Sequence, residues 1–293
     1  MIYLAQETTV IYLKLKTRPT VVLDCRAIKP DTFAGKNIED IRALKIREGN
    51  RSIALEEIFE VEASTSIPKD INNVEIVIKG NGTNKIRYLG YKMSGGKIIV
   101  EGDVGHLTGY KMINGTIVVK GNTGNWLGAK MKNGLIEVHG NAGSFVGAKL
   151  LGEKPGKGMK GGMIIIHGDA GSNIGAGMKK GTIIIEGNAE EAVGAYMIGG
   201  SILIQGNCKG SVGLRMSGGK IVVNGKVDGI LPSFYADSIV GAAKVKGRVF
   251  KKPFMLFMGD VLVNGRGLLF IAYEENKALL APYEKLVQEV EVE

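Results

Sequence analysis

The chain has 293 residues, of which 44 are glycine, 44% are hydrophobic and 6% are aromatic. This composition excludes a disordered chain, and the lack of a Gly-X-Y period excludes collagen. The net charge of +9 is compatible with nucleic acid, an acidic cofactor or an acidic protein surface as partner, without choosing among them.

Two cysteines, Cys25 and Cys208, stand in unrelated sequence contexts. They match neither a disulfide framework nor a C-x-x-C metal or redox motif, so we predict reduced thiols. The sequence shows neither a charged leader followed by an apolar stretch nor an 18-residue apolar run. We expect a cytoplasmic protein that does not contact a membrane.

Residues 1–73 are predicted to form an N-terminal cap of strands and short helices. Residues 10–15 and 21–23 are apolar and are predicted to be strands. One short helix is expected to begin at Asn37, with Asp40 three residues later, and a second at Ser52, because such residues cap helix N-termini.

Residues 74–229 form a repeat in which a glycine follows each apolar triplet. From Gly102 onward the spacing is 19 residues except for one step of 28, and the first unit, from Gly80, has three extra residues. A fixed period of about 20 residues indicates a solenoid, and β-branched triplets bounded by glycine indicate strands. We therefore predict an all-β fold. It is a single-stranded parallel β-helix, a right-handed solenoid of about eight 19-residue coils, with small α/β caps at both ends.

Each repeat carries a corner glycine, and most carry a second glycine seven residues later. Stacked turns need residues that tolerate positive φ and leave no room for a Cβ, which is why glycine recurs. The predicted structural turns are Gly102, Gly109, Gly121, Gly128, Gly140, Gly147, Gly168, Gly175, Gly187, Gly194, Gly206 and Gly213. The Asn or Asp after each corner glycine is expected to form a ladder that bonds the turn backbone.

The 28-residue step contains a nine-residue insertion, LLGEKPGKG at residues 150–158, after which Met159 resumes the pattern. It is the only loop that interrupts the repeat, and such loops often carry specificity. The regularly spaced methionines are interpreted as core filling. Residues 230–293 are predicted to form a C-terminal cap, with a two-residue hairpin turn at Asn264-Gly265 and a final helix after Pro282.

Side chains alternate along each strand, and the polar residue before every corner glycine marks the outward side. The middle residue of each triplet then also faces outward. Either the terminal segments fold back over this apolar stripe or a partner subunit docks there, since monomers rarely expose such a surface. The predicted partner-facing stripe consists of Ile99, Val118, Ile165, Ile184, Leu203 and Val222.

A second column, just before the methionines, stacks four lysines. As a nucleic-acid site this ridge lacks interleaved aromatics, so no nucleic-acid partner is predicted. A solvated face or a docking surface for an acidic subunit explains it better. The four are Lys92, Lys111, Lys130 and Lys149.

Few residues in the sequence are candidates for metal binding or catalysis. His139 and His167 occupy equivalent places on neighbouring repeats, with Glu186 next in the column, so two imidazoles and a carboxylate could share a zinc-like ion at strand spacing. An exposed polar ladder is the simpler interpretation. No catalytic, cofactor-binding or metal residue is predicted, since no nucleophile–base arrangement or phosphate loop is found.

The repeats GNTGNWLGAKMKNG, GNAGSFVGAKLLGEKPGKGMKGGMIIIHGDAGSNIGAGMKKGTIIIEG and GAYMIGGSILIQGN resemble the C subunit of formylmethanofuran dehydrogenase. This family belongs to the GXGXG superfamily, which includes the C-terminal domain of the glutamate synthase large subunit. Residues 28–62 and the segment GDVLVNGRGLLFI from Gly259 also resemble the family. The insertion falls where the family has one.

The resemblance implies a non-catalytic structural subunit of a complex that interconverts CO2 and methanofuran with formylmethanofuran. It places a molybdenum- or tungsten-pterin, iron–sulfur clusters and a binuclear metal centre on partners: a metal-pterin subunit, an amidohydrolase-like subunit and ferredoxin-like subunits. Two alternatives stay open, the C subunit of the methylotrophic formyltransferase/hydrolase complex and a stand-alone glutamate synthase GXGXG domain.

Overall fold

The structure is a computed structural model that describes residues 8–290. It contains nineteen strands and four α-helices in that part of the chain. The strands are β1 (Thr9–Leu15), β2 (Leu23–Asp24), β3 (Lys45–Glu48), β4 (Arg51–Ala54), β5 (Phe59–Ala63), β6 (Val74–Lys79), β7 (Ile86–Arg87), β8 (Lys97–Glu101), β9 (Thr116–Val119), β10 (Leu135–Val138), β11 (Lys160–Ile166), β12 (Lys180–Ile185), β13 (Ile198–Ile204), β14 (Gly218–Val223), β15 (Tyr235–Val240), β16 (Ala243–Val245), β17 (Arg248–Phe250), β18 (Phe254–Gly259) and β19 (Gly267–Ala272). The helices are α1 (Pro30–Phe33), α2 (Ile38–Arg42), α3 (Leu55–Ile58) and α4 (Lys277–Val290).

One sheet of 13 strands dominates the molecule, in the order β15-β18-β19-β14-β13-β12-β11-β10-β9-β8-β6-β1-β5. Pairing is parallel from β1 through the repeat to β19. It is antiparallel at both ends, where β5 pairs with β1, β18 with β19 and β15 with β18. Smaller sheets join β4-β3-β2-β7 and β16-β17.

The predicted fold class, an all-β single-stranded parallel β-helix, is therefore wrong. The terminal segments do not merely sit over the ends of the repeat, because they add strands to the same sheet and make it mixed. The physical reason is that an open sheet edge presents unpaired N–H and C=O groups. Strands from the two termini satisfy those groups by pairing with the outermost repeat strands.

The strands of the repeat lie in continuous register. Ile117 pairs with Ile136 and Ile136 with Ile164, so the 28-residue step leaves the ladder unbroken. The inward side chains form the core, with Ile117, Ile136 and Ile164 fully buried. The methionines that end the repeats, including Met112 and Met131, are buried beside them, which agrees with their predicted role as core filling.

Glycine meets two different demands in each repeat. Gly128 has φ +58°, and a Cβ there would lie 2.5 Å from Ile164 Cδ1. At the corner, a Cβ on Gly140 would lie 2.5 Å from Asn122 Oδ1 of the preceding repeat. Gly128 is required because its backbone is left-handed and a buried side chain lies next to it. The corner residue Gly140 is required because stacked turns approach each other closely.

The predicted Asn/Asp ladder is confirmed. The Oδ1 atom of one repeat accepts the backbone N–H of the equivalent residue in the next, at 2.6–2.8 Å from Asp103 to Lys226. Beyond that last step the buried Asn276 takes over. Its Oδ1 accepts the Val227 N–H at 2.9 Å, and its Nδ2 donates to the Gly225 and Ala272 carbonyls at 3.0 and 2.8 Å.

The N-terminal helices agree in part with the sequence. Asn37 caps α2, and its Oδ1 accepts the Asp40 N–H at 2.8 Å, as predicted. The second helix does not begin at Ser52, which lies in β4. It begins at Leu55, where the Glu57 carboxylate accepts the Ala54 N–H at 2.7 Å. Residues 1–7 of the predicted cap lie outside the described residues.

The C-terminal hairpin exists, but its turn is not the predicted two-residue turn. Strands β18 and β19 are joined by residues 260–266, which include a 3-10 turn at Val261–Val263 and a left-handed Asn264 with φ +52°. Helix α4 starts at Lys277, so that Pro282 lies inside it rather than before it. Residues 291–293 of the predicted cap are outside the described chain. Among the helices described, none combines the length and the apolarity needed to cross a bilayer.

Candidate functional site

The outward apolar stripe is covered along its C-terminal half by the chain itself. Ile184, Leu203 and Val222 are buried in a second hydrophobic cluster on the outer face of the sheet, under residues that include Val245 and Phe254. This half agrees with the alternative in which a terminal segment folds back over the sheet. It is closed to a partner, because its surface is already removed from water.

The N-terminal half of the stripe is less covered. Val118 is buried, whereas Ile99 and Ile165 are half-buried. Docking of a partner on this part of the stripe stays a prediction.

The histidine column forms a connected cluster at the border between these two halves. His139 follows β10 and His167 follows β11, and the parallel register of Val138 with Ile166 sets the two rings side by side, 5.4 Å apart between centroids. Glu137, on the same face of β10, lies between them. Its Oε1 is 3.0 Å from His167 Nε2 and 3.7 Å from His139 Nε2.

The opposite side of His167 is fixed by a carboxylate and a guanidinium. Its Nδ1 is 2.7 Å from Glu186 Oε2, and Glu186 Oε1 accepts two hydrogen bonds from Arg248 of β17, both 3.1 Å. The hydrogen bond to Glu186, then that to Glu137, raises the pKa of His167. The hydrogen bond from His167 is the largest effect that lowers the pKa of Glu186.

The three candidates from the sequence are thus brought together, but with changed roles. Glu137, His139 and His167 place one ligand atom each within 4.8 Å of one another. Glu186 contacts the far nitrogen of His167 instead. Glu137 is absent from the sequence-based candidates, and the signal that identifies it is that it is the one charged residue in the column of the apolar stripe.

Lysines line a groove of about 410 Å³ on another side of the repeat, which we call the lysine groove. It is lined by Lys92, Lys111, Ile113, Lys130, Lys132 and Lys160. Lys149, the fourth lysine of the predicted column, lies instead at a neighbouring cavity with Tyr196 and Arg215. Such a concentration of cations suits an anionic ligand or an acidic surface.

The backbone of the lysine groove is locally strained. Lys92, Lys111 and Lys130 have φ values of 54–59°, and glycine stands at the equivalent Gly177 with φ +66°. Lys130 is paired with Glu153 of the insertion. A left-handed conformation costs a non-glycine residue roughly 1–2 kcal/mol. The lysines at these positions therefore lower the stability of the fold relative to glycine.

A second polar ladder runs through the repeat without having been predicted. His106 Nδ1 accepts the Asn125 N–H at 2.8 Å, Asn125 Oδ1 accepts the Ser144 N–H at 3.0 Å, and Ser144 Oγ accepts the Ser172 N–H at 3.1 Å. The signal is present in the sequence, because these short polar residues each stand four places after a corner glycine. His106 therefore has a structural role within the repeat.

Both cysteines are free and buried. Burial raises the pKa of Cys25, and burial followed by the nearby Asp228 raises the pKa of Cys208 to about 12. Neither thiol is a reactive nucleophile at neutral pH, because the thiolate is the reactive form.

Comparisons with known proteins agree on one group of relatives. The chain is 41% identical over 95 residues to the C subunit of the tungsten-containing formylmethanofuran dehydrogenase 2 of Methanothermobacter wolfeii, covering 32% of this chain and 34% of that protein. It is 35% identical over 101 residues to the C subunit of the molybdenum-containing formylmethanofuran dehydrogenase 1 of Methanosarcina barkeri, covering 34% and 33%. The chain thus spans about a third of the length of the curated relatives it matches.

A solved structure extends the likeness over most of the chain. One chain of the crystal structure of the formyltransferase/hydrolase complex (FhcABCD) from Methylorubrum extorquens in complex with methylofuran matches with a TM-score of 0.75 and 25% identity, covering 89% of this chain and 99% of that one. No protein-family model matches the sequence. The GXGXG grouping stays a prediction, while the resemblance to the C subunit of formylmethanofuran dehydrogenase inferred from the repeats is confirmed by these relatives.

Proposed function

We propose that this chain is the structural C subunit of a formylmethanofuran dehydrogenase complex, which interconverts CO2 and methanofuran with formylmethanofuran. The observation that carries the proposal is its similarity to the C subunits of both the tungsten and the molybdenum enzymes. The long registered sheet supports a scaffold role, because a stacked repeat is stiff and presents side chains at fixed intervals.

The chemistry of the complex would then belong to partner subunits. A molybdenum- or tungsten-pterin, iron–sulfur clusters and a binuclear metal centre are proposed to reside on a metal-pterin subunit, ferredoxin-like subunits and an amidohydrolase-like subunit. The proposed location is the cytoplasm of a methanogenic archaeon. The free cysteines are compatible with a reducing compartment.

A second candidate is the C subunit of a formyltransferase/hydrolase complex. The fold match to a chain of such a complex, over nearly the whole of that chain, favours it. The two candidates share a scaffold role and differ in whether the complex carries redox chemistry.

Native purification of the chain from its own cells, followed by mass spectrometry and metal analysis, tests both. Recovery with a metal-pterin subunit and with CO2- or formylmethanofuran-dependent electron transfer supports the dehydrogenase. Recovery with formyl-transfer and hydrolysis activity but no pterin metal supports the second candidate. A chain that elutes alone, without either set of partners, contradicts the scaffold proposal.

The lysine groove is the docking surface that we propose for an acidic partner. Replacing Lys92, Lys111 and Lys132 together by Gln should weaken assembly and make it less sensitive to salt, because each removed charge deletes a screened attraction. The measurement is the assembled fraction in a salt series. The matched control replaces the exposed Lys45, Lys226 and Lys251 by Gln, and an equal effect of both triple variants would contradict docking at the groove.

A further inference from the structure

We propose that Glu137, His139 and His167 form a binding site for one divalent transition-metal ion of the zinc class on the outer face of the sheet. The inference rests on side chains of this chain alone. It does not depend on the proposed function, because the isolated chain suffices to test it.

The first argument is the placement of the ligand atoms. The Oε1 of Glu137 lies 3.0 Å from His167 Nε2 and 3.7 Å from His139 Nε2. Each of the three residues offers one ligand atom within 4.8 Å of those of the other two. Two ligands bound at about 2.0–2.2 Å to a tetrahedral zinc ion are separated by roughly 3.3–3.5 Å. Both contacts to Glu137 are close to that separation, and the exposed imidazoles can close the remainder by side-chain rotation.

The second argument is the orientation of His167. Metal-bound histidines commonly give their other ring nitrogen to a carboxylate, which fixes the ring and makes the binding nitrogen more basic. Here Nδ1 contacts Glu186 at 2.7 Å, and Arg248 holds Glu186 with two bonds of 3.1 Å. The Nε2 atom is thereby directed at Glu137 and His139.

The third argument comes from the repeat itself. The column that contains Glu137 holds Val, Ile or Leu in every other repeat, as in Val118 before it and Ile165 after it. Only here does a carboxylate replace an apolar residue in mid-strand; His139 stands in the same repeat and His167 in the next. The repeat pattern is thus broken at one place, and the break brings together three residues of the types that bind metals.

The chemistry of the ligands selects the ion. Two imidazoles with one carboxylate suit Zn²⁺ and neighbouring transition metals, whereas Mg²⁺ and Ca²⁺ prefer oxygen ligands only. Glu137 and His167 are about one-third exposed on their side chains, at 31% and 35%. A fourth position is therefore accessible to water or to a side chain of a partner.

The test uses the full-length chain without a histidine tag, stripped with a chelator and titrated with Zn²⁺ by calorimetry, with Co²⁺ absorption as a second readout. We expect one equivalent to bind and Co²⁺ to show a tetrahedral spectrum. His139→Gln and His167→Gln should each weaken Zn²⁺ binding by at least about tenfold. Glu186→Gln should weaken it about 10–100-fold through the lost orientation of His167.

Replacing Lys120 should change the Zn²⁺ affinity in the opposite direction. Its Nζ is 3.5 Å from His139 Nε2, so its charge repels a bound cation. Lys120→Gln should tighten Zn²⁺ binding by about three- to tenfold, as expected for removing a nearby exposed charge. A purely structural role for these side chains would not produce tighter binding.

The matched control is His106→Asn, which changes the third histidine to the residue that plays its part at Asn125 in the next repeat. This variant should bind Zn²⁺ like the wild type. Circular dichroism verifies that each variant is folded. Absence of Zn²⁺ binding by the wild type, which is the result expected if His167 is simply a protonated bridge between Glu137 and Glu186, overturns the proposal. So does binding that survives the His139→Gln/His167→Gln double change.

Discussion

At the scale of single residues, glycine substitutions separate backbone strain from crowding. Gly128→Ala should destabilise the fold by roughly 2–5 kcal/mol, because a left-handed alanine costs about 1–2 kcal/mol and overpacking costs about 1–3 kcal/mol. Gly152 has φ +79° with no atom within 4 Å of an added Cβ, and Gly210 has an open site without positive φ. Gly152→Ala should cost about 1 kcal/mol and Gly210→Ala almost nothing.

Urea unfolding of the three variants measures this order. Equal losses for Gly128→Ala and Gly152→Ala would show that contact with Ile164 does not matter. A large loss for Gly210→Ala would contradict the assignment of its turn as open.

His106 predicts a pH dependence of stability. Its pKa is lowered from 6.5 by burial and, to a lesser extent, by Arg87, and its neutral Nδ1 accepts the Asn125 N–H. Below pH 6.5 the unfolded chain takes up a proton that the folded chain resists. The free energy of unfolding should therefore fall as the pH drops through 6.5 toward the lower folded pKa, by at most about 1.4 kcal/mol per pH unit.

The comparison of wild type with His106→Asn isolates this effect, because asparagine accepts the same hydrogen bond but does not titrate. Unfolding at about pH 7.5 and about pH 5.5 should show a larger loss of stability on acidification for the wild type. Parallel loss in both proteins would assign the acid sensitivity to other groups.

The sequence predicts contacts of single residues correctly where the repeat places equivalent residues next to each other. The Asn/Asp ladder from Asp103 follows from its constant place after the corner glycine. The contact of Glu186 with the far nitrogen of His167 could not be predicted, because the Glu186 carboxylate is held by Arg248, which reaches the cluster from a strand outside the repeat. Spacing along the chain does not encode such an approach.

At the scale of elements, the insertion at residues 150–158 can be removed without disrupting the stacked repeats. Met159 N–H donates to the Gly147 carbonyl at 2.7 Å, as Met131 N–H does to Gly128 at 3.0 Å. Deleting residues 150–158 joins Lys149 to Met159 and restores an uninterrupted 19-residue repeat. The fold should survive, with a stability change within about 2 kcal/mol, since one lysine takes up a left-handed conformation and one ion pair is lost.

Circular dichroism and thermal unfolding of the deletion variant check this expectation. Loss of cooperative unfolding would show that the loop is needed to form the register between β10 and β11. Retained stability with impaired complex assembly would instead assign the loop to partner recognition.

Elements outside the repeat are less predictable than those inside it. The strands around Ile117 and Ile164 follow from β-branched triplets between glycines. The Asn264-Gly265 dipeptide predicts a two-residue hairpin turn, yet the two strands are joined by a longer connection that contains a 3-10 turn. Turn length depends on where the two strands must meet the rest of the sheet, which the dipeptide does not specify.

At the scale of the whole molecule, the sequence predicts stacking but not how the stack ends. A fixed period requires equivalent residues to lie beside each other, and the parallel register from β6 to β14 has that form. The antiparallel pairing of β5, β18 and β15 makes the sheet mixed. Those strands lie in segments without the repeat, so their partners are set by long-range pairing rather than by local pattern.

The same ends determine whether the protein exists as a separate folded chain. Deleting residues 230–293 removes β19 from the edge of β14 and uncovers Ile184, Leu203 and Val222. Burial of three such side chains contributes roughly 5–9 kcal/mol, comparable with the roughly 5–15 kcal/mol stability of a whole domain. The truncated chain should aggregate on size-exclusion chromatography and bind ANS strongly, because an open apolar edge is a template for association. The deletion of residues 150–158, which leaves both ends covered, is the control and should stay monodisperse. A truncated chain that elutes as a compact species and unfolds cooperatively would show that the repeat closes its own edge and that the C-terminal strands serve another purpose.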